Sequence, residues 1–474
     1  MKTTPNIKNQ EIKKIEPNQG SDNLRQDWVE CTLGEVFDFI GGGTPSKSNP
    51  DYWNGNIPWA SIKDLKGDNL ISTQDFITEE GLKNSSANIA NKNEIILATR
   101  ISPGTPILSK IKTAINQDLK VAKPKIESEI EYFFWLFNTL KPEILKLSSG
   151  TTVLGINLPN LKSVEFLLPP IHIQKAIVKK IEELFSSLDS GIADLKKAQD
   201  QLVVYRQAVL KKAFEGGYTQ PNTEKKDILI NGLKSSIPKN WKVCKIGSIA
   251  KLQGGFAFKS AEFTDSGIPI VKIKNVHYQN IDWSDKTFVS SSRMEEFNSY
   301  SLNKGDVLIA MTRPVIKSLN NIKTVVVKES DLPALLNQRV GRFVINGELN
   351  KNFLKYFIFT DFFKRRVLKE SSSSQQPNIS STKIEKFDFI LPETIHEQEN
   401  IVREVESRLS VCDKLEENIA TSLEKARALR QSILKKAFEG KLLSAAEIKE
   451  CKSDKEYEPA SVLLERIREE KKKK

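Results

Sequence analysis

The chain has 474 residues and a formal net charge of +12, from 72 Lys and Arg against 60 Asp and Glu. Apolar residues make up 39% of it, which suffices for folded cores and excludes wholesale disorder. With 23 Gly, 20 Pro and four widely separated Cys, the composition also excludes collagen-like and disulfide-scaffold proteins.

The basic charge indicates a polyanionic partner, nucleic acid or an anionic membrane, although a solvated basic surface explains it equally well. Three His and no CxxC pair make a dedicated zinc site unexpected. No stretch approaches about 18 consecutive apolar residues, so we expect no transmembrane helix. The polar segment 1–26 is expected to be a flexible tail and not a secretory signal, and the chain is expected to be cytoplasmic with reduced thiols.

The first globular part, residues 27–168, is predicted to be a mixed α/β domain. Short β-type runs at 56–65 and 94–99 and an aromatic-rich helix at 131–140 indicate this class. Its glycine-rich turn at 41–47 could bring backbone N–H groups against a phosphate, with Lys47 following. A plain turn between strands is the alternative explanation.

A long helix follows over residues 169–216. Its apolar residues recur at a mean step of about 3.6, between a straight helix and a heptad repeat. About 44 residues give roughly 65 Å of helix, which is too long a stripe to be buried on a small domain. Gly216 stands where a C-cap glycine belongs.

The helix is duplicated. RQAVLKKAFEG at 206–216 returns as RQSILKKAFEG at 430–440, with nine of eleven positions identical, and IHIQKAIV at 171–178 returns as IHEQENIV at 395–402. Both matches have an offset of 224. Weaker matches continue upstream, such as Trp28 on Trp241, and Arg100 and Arg313 each follow a buried-looking strand at matching places in the two copies.

The duplication divides the chain into two copies of one unit. A linker at 217–238 leads to a second α/β domain at 239–392, with β-type runs at 267–276 and 306–310 and an aromatic-rich helix at 352–368. A distal helix at 393–440 and a C-terminal tail at 441–474 follow. The predicted fold is mixed α/β: two globular domains separated by two long helices that form an antiparallel coiled coil, with a pseudo-twofold internal repeat.

The apolar seam of this coiled coil is expected to bury one side chain per helical turn. Its predicted residues are Ile177, Ile181, Leu184, Leu188, Leu195, Leu202, Val209, Ile401, Val405, Leu409, Ile419, Ala426 and Ile433.

Polar residues recur at matching places in the two domains. Arg, Asn and Gln pair bidentately with guanine or adenine edges, and backbone amides and Lys contact phosphates. Singly, each is more often a structural or surface residue. The candidate DNA-contacting residues are Gly42, Gly43, Thr44, Lys47, Lys63, Arg100, Asn116, Gln117, Gly254, Gly255, Lys259, Lys274, Arg313, Asn337, Gln338 and Arg339.

A nuclease must also be considered, because Asp51, Asp64 and Lys66 loosely follow a PD…(D/E)xK pattern. The pattern is short, and Asn275 replaces Asp64 in the second copy. No catalytic or metal-binding residues are therefore assigned, and the chain is expected to be non-catalytic.

The order of these segments resembles the specificity (S) subunit of type I restriction–modification systems. The resemblance rests on LLPPIHIQKAIVKKIEEL at 167–184 and on the two LKKAFEG helix ends, and it spans about residues 27–470. It implies two target recognition domains that each read half of an asymmetric bipartite site in double-stranded DNA. It also implies binding to two methyltransferase (modification) subunits and to restriction subunits, which would hold S-adenosylmethionine, ATP and Mg²⁺, and no cofactor in this chain.

Two alternatives remain. One is an S-like subunit of a fused methyltransferase–nuclease system, and the other is a coiled-coil scaffold for protein partners without sequence preference for DNA.

Overall fold

A computed structural model describes residues 25–150, 152–219, 223–316, 321–371 and 377–473, with side chains to residue 469. The predicted tail at 1–26 therefore lies, except for its last two residues, outside the described residues. The chain divides into two units: unit 1 comprises Met1–Asp194 and Ser422–Lys474, and unit 2 comprises Leu195–Thr421.

The first domain alternates short strands with a few helices, as its sequence predicts. Its strands are β1 (Val29–Thr32), β2 (Phe37–Gly41), β3 (Trp53–Ala60), β4 (Asn69–Leu70), β5 (Asp75–Ile77), β6 (Asn88–Ala90), β7 (Ile95–Ala98), β8 (Pro106–Ser109), β9 (Thr113–Ile115), β10 (Leu119–Pro124) and β11 (Glu165–Leu168). Its helices are α1 (Leu33–Val36), α2 (Glu79–Lys83), α3 (Ile130–Lys146) and α4 (Leu158–Lys162), and the long helix α5 (Ile171–Phe214) follows.

The second domain repeats this pattern. Its strands are β12 (Lys225–Ile230), β13 (Leu233–Pro238), β14 (Lys242–Lys245), β15 (Ala250–Gly254), β16 (Phe263–Thr264), β17 (Ile268–Val271), β18 (Phe288–Val289), β19 (Val307–Ala310), β20 (Val315–Ile316), β21 (Asn321–Ile322), β22 (Thr324–Val326), β23 (Leu335–Leu336), β24 (Val340–Ile345) and β25 (Asp388–Leu391). Its helices are α6 (Ile246–Ile249), α7 (Lys351–Ile358), α8 (Asp361–Glu370) and α9 (Ser381–Glu385), followed by α10 (Ile395–Phe438), α11 (Ala445–Lys452) and α12 (Ala460–Lys473).

The sheets of the two units share their central strand pairings. In unit 1 the strand orders are β2-β10-β7-β8-β4 and β5-β3-β9-β6, with β1 paired to β11. In unit 2 they are β15-β24-β19-β22 and β16-β18-β17-β23, with β14 paired to β25. The parallel contact of β3 with β9 recurs as that of β17 with β23. The mixed α/β class and the internal repeat are confirmed.

Each unit has an aromatic core beneath its first sheet. In unit 1, Phe37 on β2 packs edge-on against Phe133 of α3 at 4.7 Å between ring centroids. In unit 2, Phe357 of α7 packs at 4.5 Å against Phe389 of β25. All four side chains are fully buried, so these helices are held by their apolar faces.

The predicted linker at 217–238 contains an ordered hairpin. Strands β12 and β13 pair antiparallel around a tight turn at Asn231 and Gly232, both with positive φ. Ile230 and Ile237 are completely buried in the core of unit 2. The segment departs from the expected linker because its apolar residues have a core to join.

The predicted C-terminal tail at 441–474 contains the helices α11 and α12. Leu464 and Ile467 lie on one face of α12 and are buried in the core of unit 1. Arg468 forms an ion pair with Glu35 at 2.9 Å. The segment therefore packs onto the first domain through an amphipathic helix. The sequence analysis predicted a tail here and no such packing.

The two long helices run antiparallel within each unit. In unit 1, Arg430 of α10 pairs with Asp189 of α5 at 3.0 Å. In unit 2, Arg206 of α5 pairs with Asp413 of α10 at 2.7 Å. The offset of 224 relates both members of these pairs, so one ion pair occurs twice. All thirteen predicted seam residues are buried or half-buried, and the antiparallel pairing is confirmed.

A buried glutamine at the start of each long helix explains the repeated IHxQ sequence. Gln174 accepts a hydrogen bond from the Glu129 amide at the start of α3 (3.2 Å), and Gln398 accepts one from the Asn350 amide at the start of α7 (2.9 Å). Both glutamines are at most 2% exposed. They satisfy amides at the helix N-termini, which have no acceptor within their own helix.

Both long helices end as predicted, with Gly216 and Gly440 at φ of 69° and 65°. None of the described helices is both long and apolar enough to cross a membrane.

Candidate nucleic-acid interface

An open groove of about 650 Å³ in unit 1 collects five of the eight positions predicted for the first domain. These five are Thr44, Lys47, Lys63, Asn116 and Gln117. The remaining lining residues are Trp53, Trp59, Ser61, Ile62, Asp75, Ile101 and Asp118. The groove thus combines exposed cations, amide groups and aromatic surface in one concavity.

The glycine turn forms one wall of the groove by close packing. A Cβ on Gly42 would lie 2.2 Å from the Asn116 carbonyl oxygen and 2.3 Å from that of Ile115. The Gly43 amide donates to the Ile115 carbonyl at 2.9 Å. Gly42 is therefore required for backbone approach, and the Gly43 amide is already used within the protein. The Gly43 amide is therefore not free to bind a phosphate, which the sequence suggested as one possibility.

The loop after β9 presents one exposed side chain between two buried ones. Asn116 and Asp118 are 5% and 9% exposed, and the Asn116 amide donates to Asp118 Oδ2 at 3.1 Å. Arg100 donates to Asp118 Oδ1, also at 3.1 Å. Gln117 points outward and accepts a hydrogen bond from Thr44. Asn116 and Arg100 thus hold the loop, whereas Gln117 is available at its tip.

Two tryptophans that we did not single out from the sequence anchor the turn. The Trp59 indole donates to the Gly43 carbonyl at 3.0 Å, and that of Trp53 donates to the Ser46 carbonyl at 3.1 Å. Their rings meet edge-on at 5.2 Å. The two residues stand six positions apart on β3, and this even spacing, which places two residues on the same face of a regular strand, was the available signal, although the pairing register shifts between Trp53 and Ile57.

Unit 2 repeats this arrangement. A Cβ on Gly255 would lie 2.2 Å from the Leu336 carbonyl oxygen. The Phe256 amide donates to the same carbonyl at 2.9 Å. Gln338 is exposed, like Gln117 in unit 1, and Asn337 is half-buried where Asn116 is buried. In each unit we use the name loop cluster for three neighbouring segments. These are the glycine turn, the loop that leaves β7 in unit 1 or β19 in unit 2, and the Asn-Gln loop.

Backbone hydrogen bonds correct one residue pairing between the copies. Thr99 donates to the Asp118 carbonyl at 2.8 Å, and Met311 donates to the Arg339 carbonyl at 2.9 Å. Thr99 therefore matches Met311, so Arg100 matches Thr312 and not Arg313. The sequence pairing was wrong by one residue because the offset between the copies drifts within this region.

The corrected pairing exposes a change in chemistry at one position. In unit 1 the bridge between the two loops runs from Arg100 to Asp118. In unit 2 the corresponding bridge runs from Arg339 Nη1 to Thr312 Oγ1 at 3.3 Å. The loop cluster of unit 1 therefore pairs a cation with an anion, whereas that of unit 2 carries Arg339 and Arg313 without this anion.

Other cations surround the loop cluster of unit 2. Burial, and secondarily the charge of Arg313, lowers the pKa of Lys323. Burial, and secondarily Lys274, lowers the pKa of Lys272. Such crowding of positive charge favours an anionic ligand. Lys259 is exposed, and Lys274 is exposed but bonded to Asp285.

The carboxylate considered for a nuclease has a structural role. Asp64 is 8% exposed, and its two oxygens accept from the Ser61 and Gln74 amides, each at 2.9 Å. Asn275 accepts in the same way from the Lys272 amide at 3.0 Å. An amide can replace the acid here, as expected of a loop-capping residue. Among the described residues, no three His, Cys, Asp or Glu side chains cluster as metal ligands.

Comparisons with known proteins agree with this arrangement. The family described as "Type I restriction modification DNA specificity domain" matches residues 25–197 and 238–425, more than half of the chain. The type I restriction enzyme MjaVIII specificity subunit of Methanocaldococcus jannaschii is 28% identical over 426 residues, which cover 88% of this chain and 93% of that protein.

Two solved structures share the fold. A chain from work on complex assembly and conformational transition of the type I R-M system has a TM-score of 0.64 at 18% identity, over 88% of this chain and 98% of that chain. The HsdS subunit from Thermoanaerobacter tengcongensis has a TM-score of 0.51 at 18% identity, over 88% and 97%.

Proposed function

The chain belongs to the type I restriction–modification DNA specificity family, and on this premise we propose that each unit reads one half of an asymmetric bipartite DNA site. It is a DNA sequence-recognition subunit of such a system. The observation that carries the proposal is the loop cluster, whose backbone hydrogen bonds recur in both units while some of its side chains differ, as Asp118 differs from the matching Arg339. A shared frame with different projecting groups is what two different half-sites require.

The exposed side chains suit both kinds of DNA contact. Gln117 and Gln338 stand at matching tips, and a Gln amide can pair bidentately with adenine in the major groove. Lys47 and Lys63 line the groove of unit 1 and are exposed, so they can neutralise phosphates. Base contacts would supply the sequence choice and phosphate contacts the affinity.

We infer that the paired helices set the gap between the half-sites. Each helix has 44 residues, about 66 Å at 1.5 Å per residue. Their seam repeats the same Arg–Asp ion pair in both units, which fixes the antiparallel register. A matched seven-residue insertion in both helices should add about 10 Å, or about three base pairs at 3.4 Å each.

The partners follow from the family and from the relatives. We propose that the chain assembles with two methyltransferase subunits and with restriction subunits. S-adenosylmethionine, ATP and Mg²⁺ would be bound by those partners. The chain itself would be non-catalytic, in line with the capping role of Asp64 and with relatives that are named specificity subunits.

The test is DNA binding by the complex of this chain with its methyltransferase subunits. We expect preferential binding to one bipartite duplex over scrambled duplexes, with an affinity that falls as salt rises. A matched control is the same duplex with its gap altered by three base pairs, which should bind as weakly as scrambled DNA. Equal binding to all duplexes would refute sequence recognition and favour the scaffold hypothesis.

A further inference from the structure

The loop that leaves β7 in unit 1 and β19 in unit 2 has the same unusual backbone at its tip. Ile101 and Arg313 occupy matching positions, and both have a left-handed φ, of 67° and 48°. The Ile101 amide donates to the Leu154 carbonyl at 2.8 Å, and the Arg313 amide donates to the Pro377 carbonyl at 2.6 Å. The backbone is thus held in one shape whichever side chain it carries.

This shape is unfavourable for the residue that unit 1 places on it. A β-branched side chain in the left-handed region is a genuine outlier, and such strain persists where surrounding contacts impose it, commonly at functional sites. The Ile101 side chain is 58% exposed and lines the groove beside Gln117. Burial in the core does not explain an isoleucine here, whereas contact with a ligand in the groove would.

The matching side chain in unit 2 has the opposite character. Arg313 is exposed, and its positive charge, after burial, contributes to the lowered pKa of Lys323. Its neighbour Arg339 is tied to Thr312, so the two arginines have different surroundings. The same backbone position therefore presents aliphatic surface in one unit and a guanidinium in the other.

We propose that residues 101 and 313 are specificity-determining residues that each contact a base pair in the major groove. Ile101 offers only apolar surface, which matches the methyl group of thymine. Arg313 offers two parallel N–H donors, which match O6 and N7 of guanine. The proposal rests on the proposed function and deepens it, because it assigns a thymine contact to the half-site of unit 1 and a guanine contact to that of unit 2.

The test measures methylation by complexes of the full chain with its methyltransferase subunits. The substrates are the bipartite duplex of the wild-type complex and variants with one base pair changed at a time. Arg313→Gln should reduce the preference for guanine at one position of one half-site by about 5- to 150-fold, the discrimination of a bidentate pair. Ile101→Ala should reduce the preference for thymine at one position of the other half-site by about 4-fold. This is the value of burying one methyl-sized group, here the methyl group of thymine.

Two further variants separate the contacts by chemistry. Arg313→Lys keeps the charge but loses the planar fork, so it should weaken the guanine preference while the salt dependence stays unchanged. The controls are Lys304→Gln, an exposed cation before β19, and Ile71→Ala, an exposed isoleucine of unit 1. Both should leave every base preference unchanged.

The outcomes are distinguishable. If Arg313→Gln slows methylation of all duplexes equally, Arg313 contacts phosphate and the inference is wrong, although the proposed function stands. If Ile101→Ala leaves all preferences intact, its assignment is wrong in the same way. If the wild-type complex shows no bipartite preference, the proposed function itself fails.

Discussion

Replacing Gly42 with alanine adds one methyl group at the tightest backbone approach in the loop cluster of unit 1. The new Cβ would lie 2.2 Å and 2.3 Å from the carbonyl oxygens of Asn116 and Ile115, against an ordinary contact of 3.4–4 Å. The Asn-Gln loop must therefore move by about 1 Å, at a cost of about 1–3 kcal/mol for overpacking. A shift of this size would take the Gln117 side chain out of hydrogen-bonding distance of the base that it is proposed to contact.

We expect Gly42→Ala to weaken binding of the methyltransferase complex to its cognate duplex by about 5- to 150-fold, the value of one bidentate base contact. Competition binding measures the affinity, and urea unfolding measures stability in parallel. Gly191→Ala is the matched control, because a Cβ there meets no atom within 4 Å. That change should leave binding intact and stabilise the helix by about 0.5–1 kcal/mol. Wild-type affinity and unfolding for Gly42→Ala would refute the close approach and the role of this loop.

Three further predictions concern stability. Gln398→Ala should cost about 1–3 kcal/mol, because the Asn350 amide loses its acceptor; an unchanged urea midpoint would contradict this. Asp306→Ala should cost about 3–5 kcal/mol, because Asp306 is buried and pairs with Arg342 at 3.2 Å; a loss below 1 kcal/mol would show that other acceptors compensate. Burial raises the pKa of the Cys31 thiol to about 12, so native Cys31 should resist alkylation at pH 8, and its stabilising contribution should be lost as pH rises from about 8.5 towards 12; rapid native alkylation would contradict this.

The regular parts of the fold were the predictable ones. The seam of the long helices was found because a repeat of about 3.6 residues over 44 positions leaves little choice of buried face. The helix predicted at 131–140 from its aromatic-rich sequence is α3 (Ile130–Lys146). The single helix predicted at 352–368 is instead α7 and α8, because Thr360 caps a new helix by accepting from the Phe363 amide. A cap of this kind interrupts a helix without changing its apolar pattern.

Segments that depend on distant cores were missed. The pair Asn231-Gly232 is a typical hairpin turn, and its φ values are both positive, but only the core of unit 2 makes the hairpin stable. Leu464 and Ile467 have helical spacing, yet their partner lies over 400 residues earlier in the chain at Glu35 and its neighbours. Sequence spacing shows which face is apolar and does not show what covers it.

The candidate interface was partly predictable. Recurrence in both copies pointed to Gln117 and Gln338, which the structure leaves exposed, but it could not separate them from the structural residue Asn116 beside them. The left-handed backbone at Ile101 and Arg313 could not be predicted from the sequence, because an isoleucine and an arginine have no sequence pattern in common. The backbone hydrogen bonds and the shared left-handed φ relate these two positions.

The central claim is that two units of one chain read two different half-sites, and methylome sequencing tests it most directly. A host that expresses this chain with its methyltransferase subunits should methylate one asymmetric motif of two specified parts separated by an unspecified gap. Gly42→Ala and Gly255→Ala should each degrade a different part of that motif. A continuous or palindromic motif, or variants that degrade both parts together, would contradict the division of recognition between the units.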